Sequence, residues 1–328
     1  MKIIIDAFGG DNAPVEIIKG ARMAKDEYNI DIILTGSESK IRKAAAENDI
    51  KIDDMQIADA PVVITMEDDP SAVIKTKKNS SMALGLNLLA HGEGDAFISA
   101  GNSGALVMGA TMIVKRIKGV KRPAFAPVLP TLKGCSMLID GGANVECRPE
   151  MLVQFGLMGS IYMNKVIGVD NPKIGLANCG AEEHKGTTLY QEAYQLLKSS
   201  NLNFVGNIEG RGVPEGDSDV VVADGFTGNI ILKMYEGVAG ALMGKIKGIF
   251  TKNVKNKLAA ALVLSDMKEM KKHFDYNEYG GSPILGVSKP VFKAHGSSKA
   301  RTIKSAVGLT VQFVKNNVVN EIAENINL

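Results

Sequence analysis

The sequence predicts a doubly wound α/β fold, a mostly parallel sheet sandwiched by helices, and three observations carry that expectation. Short apolar runs recur along the chain, and most are continuous rather than alternating, as strands buried on both faces require. Segments of helical periodicity lie between them, which implies right-handed βαβ crossovers. The 35 glycines cluster where the apolar runs end, while tryptophan is absent.

The runs expected as strands are Lys2 to Asp6, Ile30 to Thr35, Ala96 to Ala100, Ser136 to Asp140, Lys173 to Asn178, Asn203 to Gly206 and Val220 to Asp224. After the first of them Ile17, Ile18, Ala21, Ala24 and Tyr28 make one apolar helical face, and Pro14 is placed for the first turn of that helix. Another helix is expected to begin near Ser298. With no tandem repeat or low-complexity segment, residues 1–328 are read as a single domain.

Composition narrows the function. Hydrophobic residues at 45% and charged residues at 23% are ordinary for a globular protein, and a net charge of +2 argues against nucleic-acid binding by the chain as a whole. Cys135, Cys147 and Cys179 form no C-x-x-C pair and are expected to be reduced. Met1 to Asp6 is too short an apolar stretch for a signal peptide, and no run of about 18 apolar residues could span a bilayer. The compartment expected is the cytoplasm.

Five expected strand ends open into small, polar, glycine-bearing loops: Asp6-Ala7-Phe8-Gly9-Gly10-Asp11-Asn12, Ser99-Ala100-Gly101-Asn102-Ser103-Gly104, Asp140-Gly141-Gly142-Ala143-Asn144, Asn178-Cys179-Gly180-Ala181-Glu182 and Asp224-Gly225-Phe226-Thr227-Gly228-Asn229. Ligands of such folds bind beyond the carboxyl ends of the strands, where glycine admits close backbone approach and successive N–H groups can cradle an anion. One such loop would read as an ordinary strand end; five together point to a substrate site that includes Asp6, Gly9, Gly10, Asn12, Asn144, Asp224, Gly225 and Gly228. Neither G-x-G-x-x-G after the first strand nor G-x-x-x-x-G-K-[ST] occurs, so a dinucleotide or ATP reading is weak and no cofactor is expected.

Cys179 and His184 lie close in sequence and could form a thiolate and base, but a small residue closing a strand beside an exposed histidine is the preferred reading. His91, His184, His273 and His295 have no metal-ligand spacing, and no metal site is expected. His295, in Lys293-Ala294-His295-Gly296-Ser297-Ser298, could reach a site from a loop or serve as a surface or capping residue. From Lys245 to Lys272 stand eight lysines against Asp266 and Glu269, around the apolar run Leu258 to Leu264. A protruding basic helical hairpin over 245–275 is expected there, either meeting an anionic membrane surface or acidic partner through Leu258, Leu262, Val263 and Leu264, or packing on its own domain or a second subunit.

Taken in order, several motifs resemble the bacterial acyl-ACP:phosphate acyltransferases, the PlsX family. They are Asp6 to Asp11, Ser99 to Leu106, Gly142-Ala143-Asn144-Val145-Glu146-Cys147, Phe204-Val205-Gly206-Asn207-Ile208-Glu209-Gly210-Arg211, Asp224 to Asn229 and Tyr279-Gly280-Gly281-Ser282-Pro283. Phe8 stands where that family often has methionine, Ser103 where threonine is usual, and Gly141 where an aliphatic residue is expected. Ser103 keeps the hydroxyl. Cys179 falls where no cysteine is required, which counts further against a thiolate mechanism.

The resemblance implies a fold like isocitrate and isopropylmalate dehydrogenases and phosphotransacetylase, a homodimer, and peripheral membrane association. It also implies transfer of a long-chain acyl group from acyl carrier protein to inorganic phosphate at the start of phospholipid synthesis. The acyl phosphate would be used by a membrane glycerol-3-phosphate acyltransferase. Residue chemistry, rather than the resemblance, suggests the individual roles: phosphate at Gly101-Asn102-Ser103-Gly104 with Lys185 as a neutralising charge, Asn229 with the Gly225 to Gly228 amides for the oxyanion, and His295 as proton donor to the leaving thiol. Leu106, Val107, Met108 and Met112 could line an acyl channel or simply pack in the core. Rival readings are a short-chain phosphotransacetylase using acyl-CoA, a decarboxylating dehydrogenase, and a non-enzymatic membrane adaptor.

Overall fold

The computed structural model describes residues 1–273 and 280–326; Tyr279 of the last motif and residues 274 and 275 of the basic segment lie outside them. The chain begins with β1 (Lys2–Asp6), α1 (Val15–Tyr28), β2 (Asp31–Gly36), α2 (Glu38–Glu47), β3 (Gln56–Asp59), α3 (Ser81–Ala90), β4 (Ala96–Ser99) and α4 (Ser103–Gly109), which runs on as a π-turn over Ala110–Val114. Then come β5 (Ala124–Phe125), β6 (Val128–Thr131), β7 (Gly134–Ile139), α5 (Pro149–Tyr162), β8 (Ile174–Asn178), α6 (Thr188–Lys198), β9 (Phe204–Glu209), α7 (Gly212–Glu215) and β10 (Val220–Val222). The rest is α8 (Gly225–Thr251), α9 (Val254–Leu262), α10 (Leu264–His273), β11 (Gly281–Leu285), β12 (Val291–Ala294), α11 (Ala300–Lys315) and α12 (Val318–Asn325).

These strands make two sheets. One runs β3-β2-β1-β4-β12-β11-β5 and the other β6-β7-β10-β8-β9. Pairing is parallel from β3 to β12 and from β7 to β9; the β12–β11, β11–β5 and β6–β7 pairs are antiparallel. The continuous isoleucines of β1 are explained by burial on both faces. Ile3 and Ile5 pack in the cluster that holds Ile17, Ile18 and Ile303, whereas Ile4 faces Leu86, Phe97 and Leu106. In β10, Val220 and Val222 turn toward Phe155 and Met158 of α5, and Val221 toward Leu232 of α8. The first of these clusters is continuous across both sheets.

Some local expectations change in three dimensions. Pro14 caps α1 rather than entering its first turn, and the helix expected near Ser298 starts at Ala300 after Lys299. Among the described residues the basic segment comprises the end of the 27-residue α8, then α9 and α10. Helix α9 buries none of its residues, and Leu258, Leu262, Val263 and Leu264 are all exposed. No described helix is long and apolar enough to cross a membrane.

Candidate active site

The carboxyl ends of β1 and β4 are adjacent, where the strand order reverses about β1. Asp6 closes β1 with a buried carboxylate that accepts hydrogen bonds from Ser99 Oγ at 2.7 Å and the Phe8 N–H at 3.2 Å. Ser99 Oγ in turn accepts the Gly101 N–H at 3.0 Å, so one chain of bonds ties the first loop to the second. Burial pushes the Asp6 carboxyl up from its ordinary pKa, against the pull of the hydroxyl donors and the Lys293 charge. Gly9 lies against the Ala100–Gly101 backbone and Gly10 against the Gly296 carbonyl. The Asp11 N–H reaches Gly296 O at 2.8 Å, and Asn12 Nδ2 reaches Ser297 O at 3.0 Å, which fastens the loop after β12 to the same turn.

Asn102 caps α4: its Oδ1 accepts the Ala105 N–H at 3.0 Å. Its Nδ2 donates to Thr65 O and Asp68 O, each at 3.1 Å. The amide is thus committed to holding the 65–68 segment over the helix start. Gly101 and Asn102 are buried, while Ser103 and Gly104 are exposed.

Asp140 ends the β7 region as the second buried carboxylate. It receives the backbone N–H groups of Phe125, Gly142, Ala143 and Asn144 at 2.9, 3.2, 3.0 and 2.6 Å, and Asn144 Nδ2 at 2.8 Å. Burial raises its pKa while these donors oppose the rise. Asn144 also bonds Pro123 O through Nδ2, at 2.8 Å, and its carbonyl accepts the Gly225 N–H at 2.7 Å. Asp224 caps α8 through the Thr227 N–H at 2.8 Å and is held by Tyr190 OH of α6 at 2.6 Å. Helix α8 can seat here only because of glycine: a Cβ on Gly228 would stand 1.9 Å from Asp140 O. Asn229 follows on the exposed side, packed so closely on Gly142 that a Cβ there would lie 2.6 Å from its Nδ2.

Between these loops lie two adjoining chambers, of about 320 Å³ and about 460 Å³, that share Ser103, Phe125, Leu232 and Lys233. Asp11, Glu236, Ser282, Lys293, His295 and Thr302 are among the polar residues lining the first. Gly104, Val107, Met108, Met112, Arg122, Asn144 and Asn229 are among the residues lining the second. Leu106 is fully buried and lines neither, because the helical period of α4 turns it into the core beside Leu86.

Of the residues expected at the site, the chambers therefore gather Ser103, Gly104, Asn144, Asn229 and His295. Asp6, Gly9, Gly10, Asn12, Gly101, Asn102, Asp224, Gly225 and Gly228 line neither chamber. Lys185 sits on the loop between β8 and α6, beside Gly180, and lines neither chamber. Cys179 is exposed on that loop, and among the described residues no hydrogen bond joins it to His184. Burial pushes the Cys147 thiol up to about 12, which keeps it a thiol rather than a thiolate at neutral pH. His295 Nδ1 lies 2.9 Å from Ser297 Oγ and 3.3 Å from the Ser297 amide nitrogen. Partial enclosure lowers its pKa, against the attraction of Glu236, so the neutral ring is the form at physiological pH.

The cations were not legible in the sequence. Lys293 is 8% exposed in β12, a strand too short and too interrupted to announce itself. Lys233 and Arg122 reach the chambers from α8 and from the segment before β5. The only hint was a lysine inside the apolar run Val291-Phe292-Lys293-Ala294.

A family model described as fatty acid synthesis protein matches residues 1–321 of the chain. A phosphate acyltransferase of Alkaliphilus oremlandii is 48% identical over 326 residues, covering 99% of this chain and 97% of the relative. Another, of Acetivibrio thermocellus, is 49% identical over 325 residues, with 99% and 96% covered. Among solved structures, EutD phosphotransacetylase from Staphylococcus aureus superposes with a TM-score of 0.63 at 16% identity, covering 96% of this chain and 94% of that one. A 4-hydroxythreonine-4-phosphate dehydrogenase from Klebsiella pneumoniae gives 0.56 at 14% identity, covering 96% and 99%. At those identities the likeness carries the α/β fold alone. The full-length match to its sequence relatives carries more: the chain belongs to the phosphate acyltransferase family of fatty acid synthesis proteins.

Proposed function

We propose that this protein transfers a long-chain acyl group from acyl carrier protein to inorganic phosphate and releases acyl phosphate. The observation that carries the reading is the pair of joined chambers, one lined by Lys233, Lys293, Asp11, Glu236 and several hydroxyls, the other by Arg122 and Lys233 with Val107, Met108 and Met112 along one wall. An inorganic anion and a thioester with an apolar tail need those two environments side by side.

Phosphate is already an anionic nucleophile and a thiolate is a good leaving group, so no covalent enzyme intermediate is required. A phosphate oxygen attacks the thioester carbonyl carbon; a C–O bond forms, the C–S bond breaks, and the departing sulfur takes up a proton. The exposed start of α4, Ser103 and Gly104, supports the anion, with Gly101 and Asn102 fixing that turn. Asn229 supplies a donor to the tetrahedral oxyanion, and the His295 ring hydrogen-bonds the departing sulfur, which takes its proton from the attacking hydrogen phosphate. The chamber walls hold the reacting groups together and limit access of water that would hydrolyse the product.

Trapping with hydroxylamine tests the reaction. Purified protein given phosphate and palmitoyl-acyl carrier protein should yield palmitoyl hydroxamate, and with acetyl-CoA in its place no acetohydroxamate should form. Turnover of acetyl-CoA alone would reassign the protein to the short-chain phosphotransacetylases.

In this reading the enzyme works in the cytoplasm as a homodimer. The apolar ridge Phe226, Ile230, Met234, Val238 and Leu242, exposed along α8, suits coverage by a second copy. The exposed Leu258, Leu262, Val263 and Leu264, set among lysines, suit an anionic membrane surface where an embedded acyltransferase consumes acyl phosphate. Leu258→Glu combined with Leu262→Glu is expected to abolish co-sedimentation with anionic liposomes and to leave turnover of soluble substrate unchanged. Unaltered sedimentation of the double variant would remove the membrane contact.

A further inference from the structure

We propose that Lys293 is the principal counter-charge for inorganic phosphate, which places the anion in the first chamber and leaves the second for the thioester and its carrier arm. The inference rests on the phosphate acyltransferase reading and assigns its two substrates to the two ends of one cleft.

A lysine with 8% exposure is costly unless something offsets the lost hydration. Lys293 Nζ donates to two neutral carbonyls, Ala100 O at 3.2 Å and its neighbour Ala294 O. Among the described residues no carboxylate oxygen forms a salt bridge with it. The two carbonyls belong to the ends of β4 and β12, so they fix the ammonium at the chamber wall without neutralising it. Ser103, His295 and Ser282 line the same space. A fixed buried cation beside hydroxyl and imidazole donors is a site for a small oxyanion, and an apolar acyl chain would gain nothing there.

The charges around it fit the same role. Lys233 of α8 also lines the chamber and bonds Glu236 at 2.9 Å; Asp6 of β1 and Asp11 of the following loop act on Lys293 from the other side, and His295 comes from its own strand's loop. Burial, with the Lys233 charge adding to it, pushes Lys293 down to about 8, while Asp11 and Asp6 oppose the fall. The ammonium is therefore the majority form at neutral pH and is lost as pH rises through that value. Binding of phosphate adds a counter-charge to those of Asp11 and Asp6 and favours the ammonium.

The test measures phosphate affinity of the full chain, by 31P NMR titration and by the rise in melting temperature that phosphate causes, without any acyl donor. Referred to the dianion, wild-type affinity is expected to be about tenfold weaker at pH 9 than at pH 7, as linkage to a group of this pKa requires. Lys293→Met should bind about 100-fold more weakly, lose that pH dependence, and raise the KM for phosphate far more than the KM for acyl carrier protein. A merely structural lysine would change the melting temperature and leave the phosphate response intact; that result would overturn the proposal. If Lys293→Met does not fold, the wild-type profile decides by itself, and an affinity that holds constant from pH 7 to pH 9 rejects the site. Acyl phosphate formation with phosphate binding indifferent to Lys293 would sink this inference alone. Lysine-dependent phosphate binding with no turnover of any thioester would instead sink the proposed function.

Discussion

Asp140→Ala is expected to lower stability by about 4 kcal/mol and to abolish turnover together with it. The carboxylate receives four backbone N–H groups and the Asn144 amide, from β5 and from the whole turn after β7. Alanine would leave those donors facing an apolar methyl group with little room for water. Each unsatisfied buried donor costs roughly 1–3 kcal/mol, and relaxation of the turn recovers part of the sum. At roughly 2 cal/mol/K per residue the melting temperature should fall by about 6 °C, measured by calorimetry. Asp140→Asn keeps one acceptor oxygen but turns an NH2 toward the donors, so its loss should lie between wild type and alanine. A melting temperature for Asp140→Ala within 1–2 °C of wild type, at about the same scale, would show that the turn is held by other means.

Asn229→Ala is expected to lower kcat by about 10²- to 10³-fold with the KM for phosphate nearly unchanged, the usual cost of losing one oxyanion donor. The side chain lines the second chamber, and its Nδ2 is backed by Gly142, whose lack of a Cβ permits the approach. A donor backed in this way reorganises little as charge develops on the carbonyl oxygen, which is where such groups act most strongly. Asn229→Asp separates this role from simple shape. The carboxylate fills the same volume yet repels an oxyanion, so its kcat should fall below that of the alanine variant. Equal activity of the aspartate variant and wild type, read by hydroxamate formation, would rule out the oxyanion role.

Much of the framework was written locally. Runs such as Lys2 to Asp6 and Lys173 to Asn178 became strands because short continuous apolar stretches buried on both faces leave few alternatives, and the glycine loops at their ends follow from the same pattern. The family was legible too, since its motifs lie in order along the chain. What the loops do to one another was not. Asn102 looked like a phosphate ligand by composition, yet its amide is occupied by the 65–68 segment; Lys185 looked like the nearest cation, yet it lines neither chamber.

The sequence by itself determined the α/β class, most central strands and the family, because those depend on short-range periodicity and on ordered motifs. The tertiary structure alone decided that β12, almost 200 residues after β4, pairs beside it and carries Lys293 to the wall of the cleft. It also decided that α8 seats on the Asp140 turn and brings Asn229 and Lys233 to the same cavity. The reason is physical: strand order and helix seating are set by long-range burial, and no local pattern records which distant backbone a buried ammonium or a missing Cβ will meet.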